Sequence, residues 1–515
     1  MSQALDEAVE GFEPATELVS VMAGSRVPAL LALDIGTSGV RAALFDEKGV
    51  EISDANVRIN SRTLTLGAGG LVDADLLLEQ VAETIDALFA KLYEPILRIE
   101  FISISCFWHS LLGIDSSEQP TTLVLGWSDT RAVAATQRLR TTLDEPKLHA
   151  RTGCRFHPSY WPAKLLRLKI EEPETWARTT RWMSFSEYLA LKLFGEAAIS
   201  VSMASGTGLL DQHNCEWDTE LLRALDVPIE TLPEIATPAR NFQSLNYEYA
   251  GRWPQLSEAR LFPAIGDGAA NNIGESCVTA DTIALMIGTS GAMRMLVEAT
   301  PPAKIPSALW CYRADRSRIV IGGALSDGGS LFNWIRETLL YADDRRLIED
   351  ELGRLQPDDH GLTVLPFWLG ERSPGWNTDA SGGIFGMTLG TRPVEILHAA
   401  MEAVAYRFAI VANALDRFAP GATLVASGNA LRSSPAWTQI VADVLGRPLV
   451  LSDRAEASTR GAALLALEAV GRIDSIGDFP VSIATTFEPD MSCHGRYQEG
   501  RRRQERLYDQ VITKT

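Results

Sequence analysis

The pentapeptide Ile-Gly-Thr-Ser-Gly occurs twice, at 35–39 and at 287–291, and each time it joins two apolar runs. Segments 31–44 and 284–296 therefore both read as β-hairpins, with a Gly/Thr/Ser turn that exposes backbone N–H groups and hydroxyls. Turns of this kind suit phosphate oxygens. With the pentapeptides aligned, Asp34 falls opposite Met286, so one hairpin carries a carboxylate and the other does not. A chain built on two such hairpins is expected to contain two related units facing one ligand.

The length of 515 residues fits that expectation, since a single core stops growing well below it. Residues 1–27 read as a loosely ordered acidic extension, 28–265 as the first unit, 266–480 as the second and 481–515 as a tail. A net charge of −19 argues against nucleic acid or an anionic membrane as partner, because both are bound through clustered Lys and Arg. Nucleotide handling by so acidic a chain calls for a divalent cation or local basic residues. The six cysteines are scattered, without Cys-x-x-Cys spacing, which suits a reduced cytoplasmic setting. No apolar run approaches the roughly 18 residues that span a bilayer, so no membrane role is expected.

Along the chain, strands are expected at Ala29–Leu33, Val40–Phe45, a segment ending near Ser61, and Ile102–Ser105. Asp73 caps a helix whose apolar stripe is Leu76, Leu77, Val81, Ile85 and Leu88. A helical region follows from Arg131 to Leu225, clearest at Trp161–Lys169 and Phe185–Phe194. Leu261–Ile265 is a strand leading into Gly266-Asp267-Gly268. The second unit has strands at Ile319–Ala324, Val364–Phe367 and Leu424–Ser427, and helices at Val394–Leu415 and Pro435–Leu445. Strand and helix alternation of this kind predicts α/β units with mixed sheets. Arg501–Arg503 reads as a solvated helix face.

Two carboxylates carry the chemistry. Asp34, at the end of a buried strand and followed by Gly36, Thr37 and Ser38, is placed to hold a hydrated magnesium ion beside phosphates; an Asx turn is the structural alternative. Asp267, between two glycines at a strand-to-helix junction, can orient an acceptor hydroxyl and take its proton, or cap the helix, or both. No Gly-x-x-x-x-Gly-Lys-[Ser/Thr] loop is present.

In this order the motifs resemble those of the FGGY carbohydrate kinases of the actin-like ATPase superfamily, over about Ala29–Leu467. The resemblance implies two actin-like (ribonuclease H-like) α/β ATPase domains, with a nucleotide and sugar cleft between them. It makes Gly36, Thr37 and Ser38 the first phosphate motif and Gly288, Thr289 and Ser290 the second. Asp267 becomes the catalytic base, Asp34 the residue facing Mg2+, and ATP the phosphate donor. Gly329 and Asn333, then Gly428, Asn429 and Ser433, match the nucleotide-contacting motifs, with Asn429 standing where a second glycine is usual.

The sugar-facing segments look most like those of gluconate kinases, implying substrate contacts from His109, Ser110, Asp129, Arg131 and Lys164 as well as Asp267. Arg131 and Lys164 could meet a carboxylate, the others hydroxyls. Phe107-Trp108 departs from the polar residue and methionine usual before the histidine. The expected partner is a small sugar or sugar acid, with a homodimer left open. A ketose or polyol acceptor is the nearest rival, and a chaperone or filament ATPase the rival from another class.

Overall fold

The computed structural model describes residues 28–61, 70–92, 98–339 and 344–513; the extension expected over 1–27 lies outside them. Strands β1 (Pro28–Gly36) and β2 (Gly39–Phe45) form the first hairpin, and β3 (Glu51–Asn60) adds antiparallel to β2. Helix α1 (Ala74–Lys91) starts where its cap predicts: the Asp73 carboxylate accepts the amides of Asp75 and Leu76 at 2.9 and 3.0 Å. Its buried stripe, Leu77, Val81, Ile85 and Leu88, returns the chain to β4 (Arg98–Cys106), parallel to β1. The strand expected at 261–265 is split into β5 (Arg260–Leu261) and β6 (Ile265–Gly266), both parallel to β4. Pro263 explains the split, since it has no N–H for the ladder. The sheet order is β5-β4-β1-β2-β3, with β6 also on β4. The helical region between β4 and β5 includes α2 (Trp161–Glu171) and α3 (Phe185–Phe194), as expected. Helix α4 (Asp267–Gly274) follows β6 directly.

The second half repeats this plan. Strands β7 (Thr282–Ile287), β8 (Gly291–Glu298), β9 (Trp310–Arg313), β10 (Arg318–Leu325), β11 (Thr423–Ser427), β12 (Leu449–Leu451) and β13 (Thr485–Phe487) lie in the order β9-β10-β8-β7-β11-β12-β13. As β3-β2-β1 are antiparallel and β4 joins β1 in parallel, so β10-β8-β7 are antiparallel and β11 joins β7 in parallel. The helices of this half are α5 (Gly329–Thr338), α6 (Pro393–Leu415), α7 (Asn429–Arg432), α8 (Pro435–Leu445), α9 (Ala457–Ala469) and α10 (Met491–Val511). The fold is the expected pair of actin-like (ribonuclease H-like) α/β units.

Sequence order and spatial partition differ most plainly at one helix. Helix α9 lies in sequence between β12 and β13 of the second sheet but covers the first: Ala463, Ala466 and Leu467 pack with Leu30, Ala32, Phe45 and Phe101. Burying a Leu or Phe in such a layer contributes roughly 1.5–3 kcal/mol. Helices α4 and α9 also cross each other at very short range. A Cβ on Gly461 would lie 1.8 Å from the Ala270 carbonyl oxygen, and one on Gly274 would lie 1.8 Å from that of Ala457. Arg460 of α9 then donates to the Gly274 carbonyl at 2.7 Å, satisfying a helix C-terminus.

The tail is not an appendage. In α10, Arg503 pairs with Asp358 and donates to Thr363 Oγ1 at 2.8 Å, so of the basic triplet it is tied to the body while still half-exposed. Gln504 is buried and donates to the carbonyls of Val364 and Ala403. Among the described residues no helix is long and apolar enough to cross a membrane.

Gly461→Ala is expected to lower unfolding stability by about 2 kcal/mol or more through overpacking at the crossing. Gly495→Ala, on the exposed face of α10 with nothing within 4 Å, is expected to be neutral or stabilising by about 0.5–1 kcal/mol. Denaturant midpoints at constant slope read both.

Candidate active site

Parallel pairing brings the two carboxylates together. Asp34 on β1 and Ile265 on β6 both lie in register with Ser105 on β4, and two residues beyond Ile265 stands Asp267, the first residue of α4. Asp34 is buried. Its Oδ1 accepts from Ser105 Oγ and its Oδ2 from Arg41, each at 2.7 Å, while Arg41 Nε lies 2.8 Å from Glu456. Asp267 Oδ1 accepts the Gly268 amide at 2.8 Å and, at 3.5 Å, that of Trp108. Burial lifts the Asp267 carboxyl above its usual range; the Arg294 guanidinium opposes this and the Asp34 carboxylate adds to it. A raised carboxyl is suited to accept a proton.

Asp267 lines a cavity of about 80 Å³ between the two units. Trp108 and His109 also line it from the first unit, and Met286, Ser290, Arg294 and Arg372 from the second, with aromatic walls that include Trp310 and Tyr312. The Trp108 ring lies so close over the Gly-Asp-Gly segment that a Cβ on Gly266 would come within 1.9 Å of it. The unusual Trp108 thus accounts for a glycine next to Asp267. His109 Nδ1 sits 2.5 Å from the Gly206 carbonyl, and burial lowers its pKa to about 3, so the ring is neutral. With Nδ1 donating, Nε2 keeps a lone pair for a hydroxyl.

Arg294 escaped the sequence reading for a geometric reason. In the first hairpin Gly36 pairs with Gly39, leaving two turn residues, whereas in the second Ile287 pairs with Gly291, leaving three. The carbonyls of Gly288 and Thr289 receive the amides of Gly329 and Gly328, at 2.7 and 3.1 Å, which holds the larger turn against the start of α5. The added turn residue slips the register by one. Asp34 faces Arg41, but Met286 faces Ala292, and Arg294 rather than Met293 falls on the cavity side. Arg372 donates to the Leu325 carbonyl at 2.9 Å and stacks 4.5 Å over Trp127.

The expected nucleotide residues of the second unit gather at the carboxyl ends of β7 and β11, where ligands of such sheets bind. Gly428 has φ +94°, and a Cβ there would lie 2.4 Å from the Ile287 carbonyl; one on Gly329 would lie 2.7 Å from that of Gly288. Thr289, Asn333, Asn429 and Ser433 are exposed around this junction, although Ser433 Oγ already donates to the Asn429 carbonyl at 2.6 Å. Gly36, Thr37 and Ser38 form the tip of the first hairpin.

Four expected sugar contacts are placed elsewhere. Ser110 is fully buried and accepts the Phe185 amide at 3.3 Å. Lys164 is also fully buried, donating to the carbonyls of His109 and Leu125 at 2.7 and 2.9 Å, and burial lowers its pKa to about 7. It braces His109 rather than lining the cavity. Arg131 is committed to Asp129 through two side-chain bonds of 2.9 Å. Burial pushes the Asp129 carboxyl up, but those bonds and Lys164 carry it net downward. Asp129 lines a second, smaller cavity of about 20 Å³ together with Trp127 and His157.

The carboxylate of Asp34 suits a hydrated magnesium ion: each oxygen carries one hydrogen bond and keeps a further lone pair for a coordinated water. His360, His398 and Glu402 bring ligand atoms within 4.8 Å of one another. There, however, His360 Nδ1 accepts the Leu362 amide, so Nε2 holds the proton and donates to Glu402 at 3.2 Å; this trio braces α6. Asp327, which the sequence did not single out, is buried before α5 and accepts the Leu369 amide at 2.9 Å. Burial raises its carboxyl to about 6.

Models of the FGGY family of carbohydrate kinases match residues 29–274 for the N-terminal domain and 283–470 for the C-terminal domain. Gluconokinase of Bacillus subtilis (strain 168) is 28% identical over 471 residues, covering 89% of this chain and 91% of that protein. The gluconate kinase structure from Lactobacillus acidophilus superposes with a TM-score of 0.85 at 28% identity, covering 94% of this chain and 98% of that one. A ligand-bound xylulose kinase from the same species also gives 0.85 at 28%, covering 95% and 100%.

Because the folded pKa of Asp327 is raised, its contribution to stability is present below the ordinary value of 3.8 and is lost as pH rises through about 6. Asp327→Asn is expected to gain on the parent across that window by about 3 kcal/mol. Urea unfolding at both ends of the window checks this, and a gap that stays constant with pH would contradict it.

Proposed function

The chain belongs to the FGGY family of carbohydrate kinases, and from that premise we propose that it transfers the γ-phosphoryl group of ATP to a hydroxyl of a sugar acid, with D-gluconate as acceptor and 6-phosphogluconate as product. The observation that carries the acid preference is the pair of guanidiniums, Arg294 buried and Arg372 half-buried, lining the same cavity as Asp267. Burial lowers the Arg294 pKa to about 10 and that of Arg372 in the same direction, which leaves both cationic at neutral pH. Two cations in an enclosed site favour a carboxylate. The likeness to gluconate kinases supports the same acceptor, while that to a xylulose kinase makes a ketose the alternative to test.

In this mechanism Asp267 accepts the proton of the attacking hydroxyl as its oxygen bonds to the γ-phosphorus. The bond from that phosphorus to the bridging oxygen breaks, and ADP leaves. His109 Nε2 accepts from a second hydroxyl, and the cavity's aromatic walls exclude water that would otherwise take the phosphoryl group. Gly36 to Ser38 and Gly288 to Ser290 cradle the phosphates. The junction of Gly329, Asn333, Gly428, Asn429 and Ser433 takes the nucleoside. A magnesium ion held through its waters by Asp34 would neutralise phosphate charge. Five of the six cysteines are buried and all are unpaired, which suits the reducing cytoplasm.

A coupled ADP-release assay across gluconate, xylulose, ribulose and glycerol tests the proposal. Gluconate is expected to give the highest kcat/KM, and Asp267→Asn to lower kcat by about 10²–10⁴. The acid limb of the parent's rate profile is expected above the ordinary carboxylate pKa of 3.8. Arg294→Met is expected to raise KM for gluconate about tenfold more than for xylulose and to move that limb further up. Equal effects on both acceptors would remove the case for an acid.

A further inference from the structure

Residues 371–377 form one wall of the cavity, contributing Arg372 and Trp376. The Arg372 guanidinium is only partly fixed by its own contacts, of which the stacking over Trp127 is one. It donates to the Leu325 carbonyl, while its buried Nε has no partner among the described residues. Its place therefore depends also on where its backbone is held.

That backbone is held from behind by Glu371, which is buried at 2% exposure. Arg407 of α6 donates to Glu371 Oε1, and the Tyr508 hydroxyl of α10 donates to Oε2 at 2.6 Å. The amides of Gly375 and Asn377 return to the same carboxylate at 3.2 and 3.3 Å. A Cβ on Gly375 would lie 2.1 Å from the Tyr508 hydroxyl and 2.4 Å from Glu371 Oε2, so the segment is drawn tightly against both. Asn377 Nδ2 also donates to the Ile512 carbonyl at 3.2 Å, a second tie to the C-terminal region.

We propose that Glu371 and Tyr508 are positioning residues for acceptor binding, through which the C-terminal helix fixes the Arg372 guanidinium in the cavity. This rests on the cavity being the acceptor site. A buried ion pair that served the fold alone would act on stability without distinguishing the two substrates, whereas positioning acts on the acceptor.

Tyr508→Phe removes one hydroxyl and keeps the ring. It is expected to raise the acceptor KM about fivefold, with kcat and the KM for ATP within about twofold of the parent and Tm nearly unchanged. If Tyr508 acts through Arg372, adding Y508F to R372M leaves the acceptor KM where R372M put it. Additive increases, an equal rise in both KM values, or an unchanged acceptor KM in Y508F would overturn the positioning role. If R372M itself leaves the acceptor KM unchanged, the cavity assignment falls and the proposal with it; if R372M raises it and Y508F does not, only the positioning role falls.

Discussion

The crossing of α4 and α9 sets the distance between the two sheets. Each helix gives up a side chain, at Gly274 and Gly461, to let the other's backbone approach. Each also leaves one sheet and serves the junction with the other: α4 starts at Asp267 as the first sheet ends, and α9 leaves the second sheet to cover the first. A carboxylate at the first residue of α4 is thereby fixed relative to Arg294 on the opposite sheet. The aromatic walls, the guanidiniums and Asp267 can enclose so small a volume only because these two backbones touch.

Charge in the cleft runs against charge over the whole chain. The net charge of −19 repels anionic ligands at long range, but at physiological ionic strength exposed charges are screened beyond about 8 Å. Arg294 is buried and Arg372 half-buried, where screening is weaker and contact distances are short, so they outweigh distant surface charge at the cavity they line. His109 is kept neutral there and Asp267 is raised, so burial tunes acid and base chemistry without any change of residue type.

What could be read in advance follows from local physics. The hairpins, the Asp73 cap, α3 and α8 depend on periodicity and capping, and they stand where the residues place them. Asp34 and Asp267 stand out in the sequence because each lies within two residues of a glycine near a strand end, and the fold brings the two together. Lys164 was not legible, since a buried lysine satisfied by two carbonyls looks, in sequence, like a lysine reaching for a carboxylate. Arg131 was misleading in the same way, its partner Asp129 lying only two residues away. Arg372 has no role that local sequence assigns, because Arg407 and Tyr508, which hold its neighbour Glu371, come from far along the chain. The burial of one face of α10, at Tyr497, Gly500, Gln504 and Tyr508, was hidden for the same reason.

The unequal turns of the two hairpins also bear on how such a chain can arise. Duplicating a short segment would produce two copies with the same side chains in the same places. One residue of turn length reverses which face of the following strand meets the ligand. Two copies of one pentapeptide can therefore acquire different duties, one beside Asp34 and Arg41 and the other beside Met286 and Arg294, before any residue in either turn is exchanged.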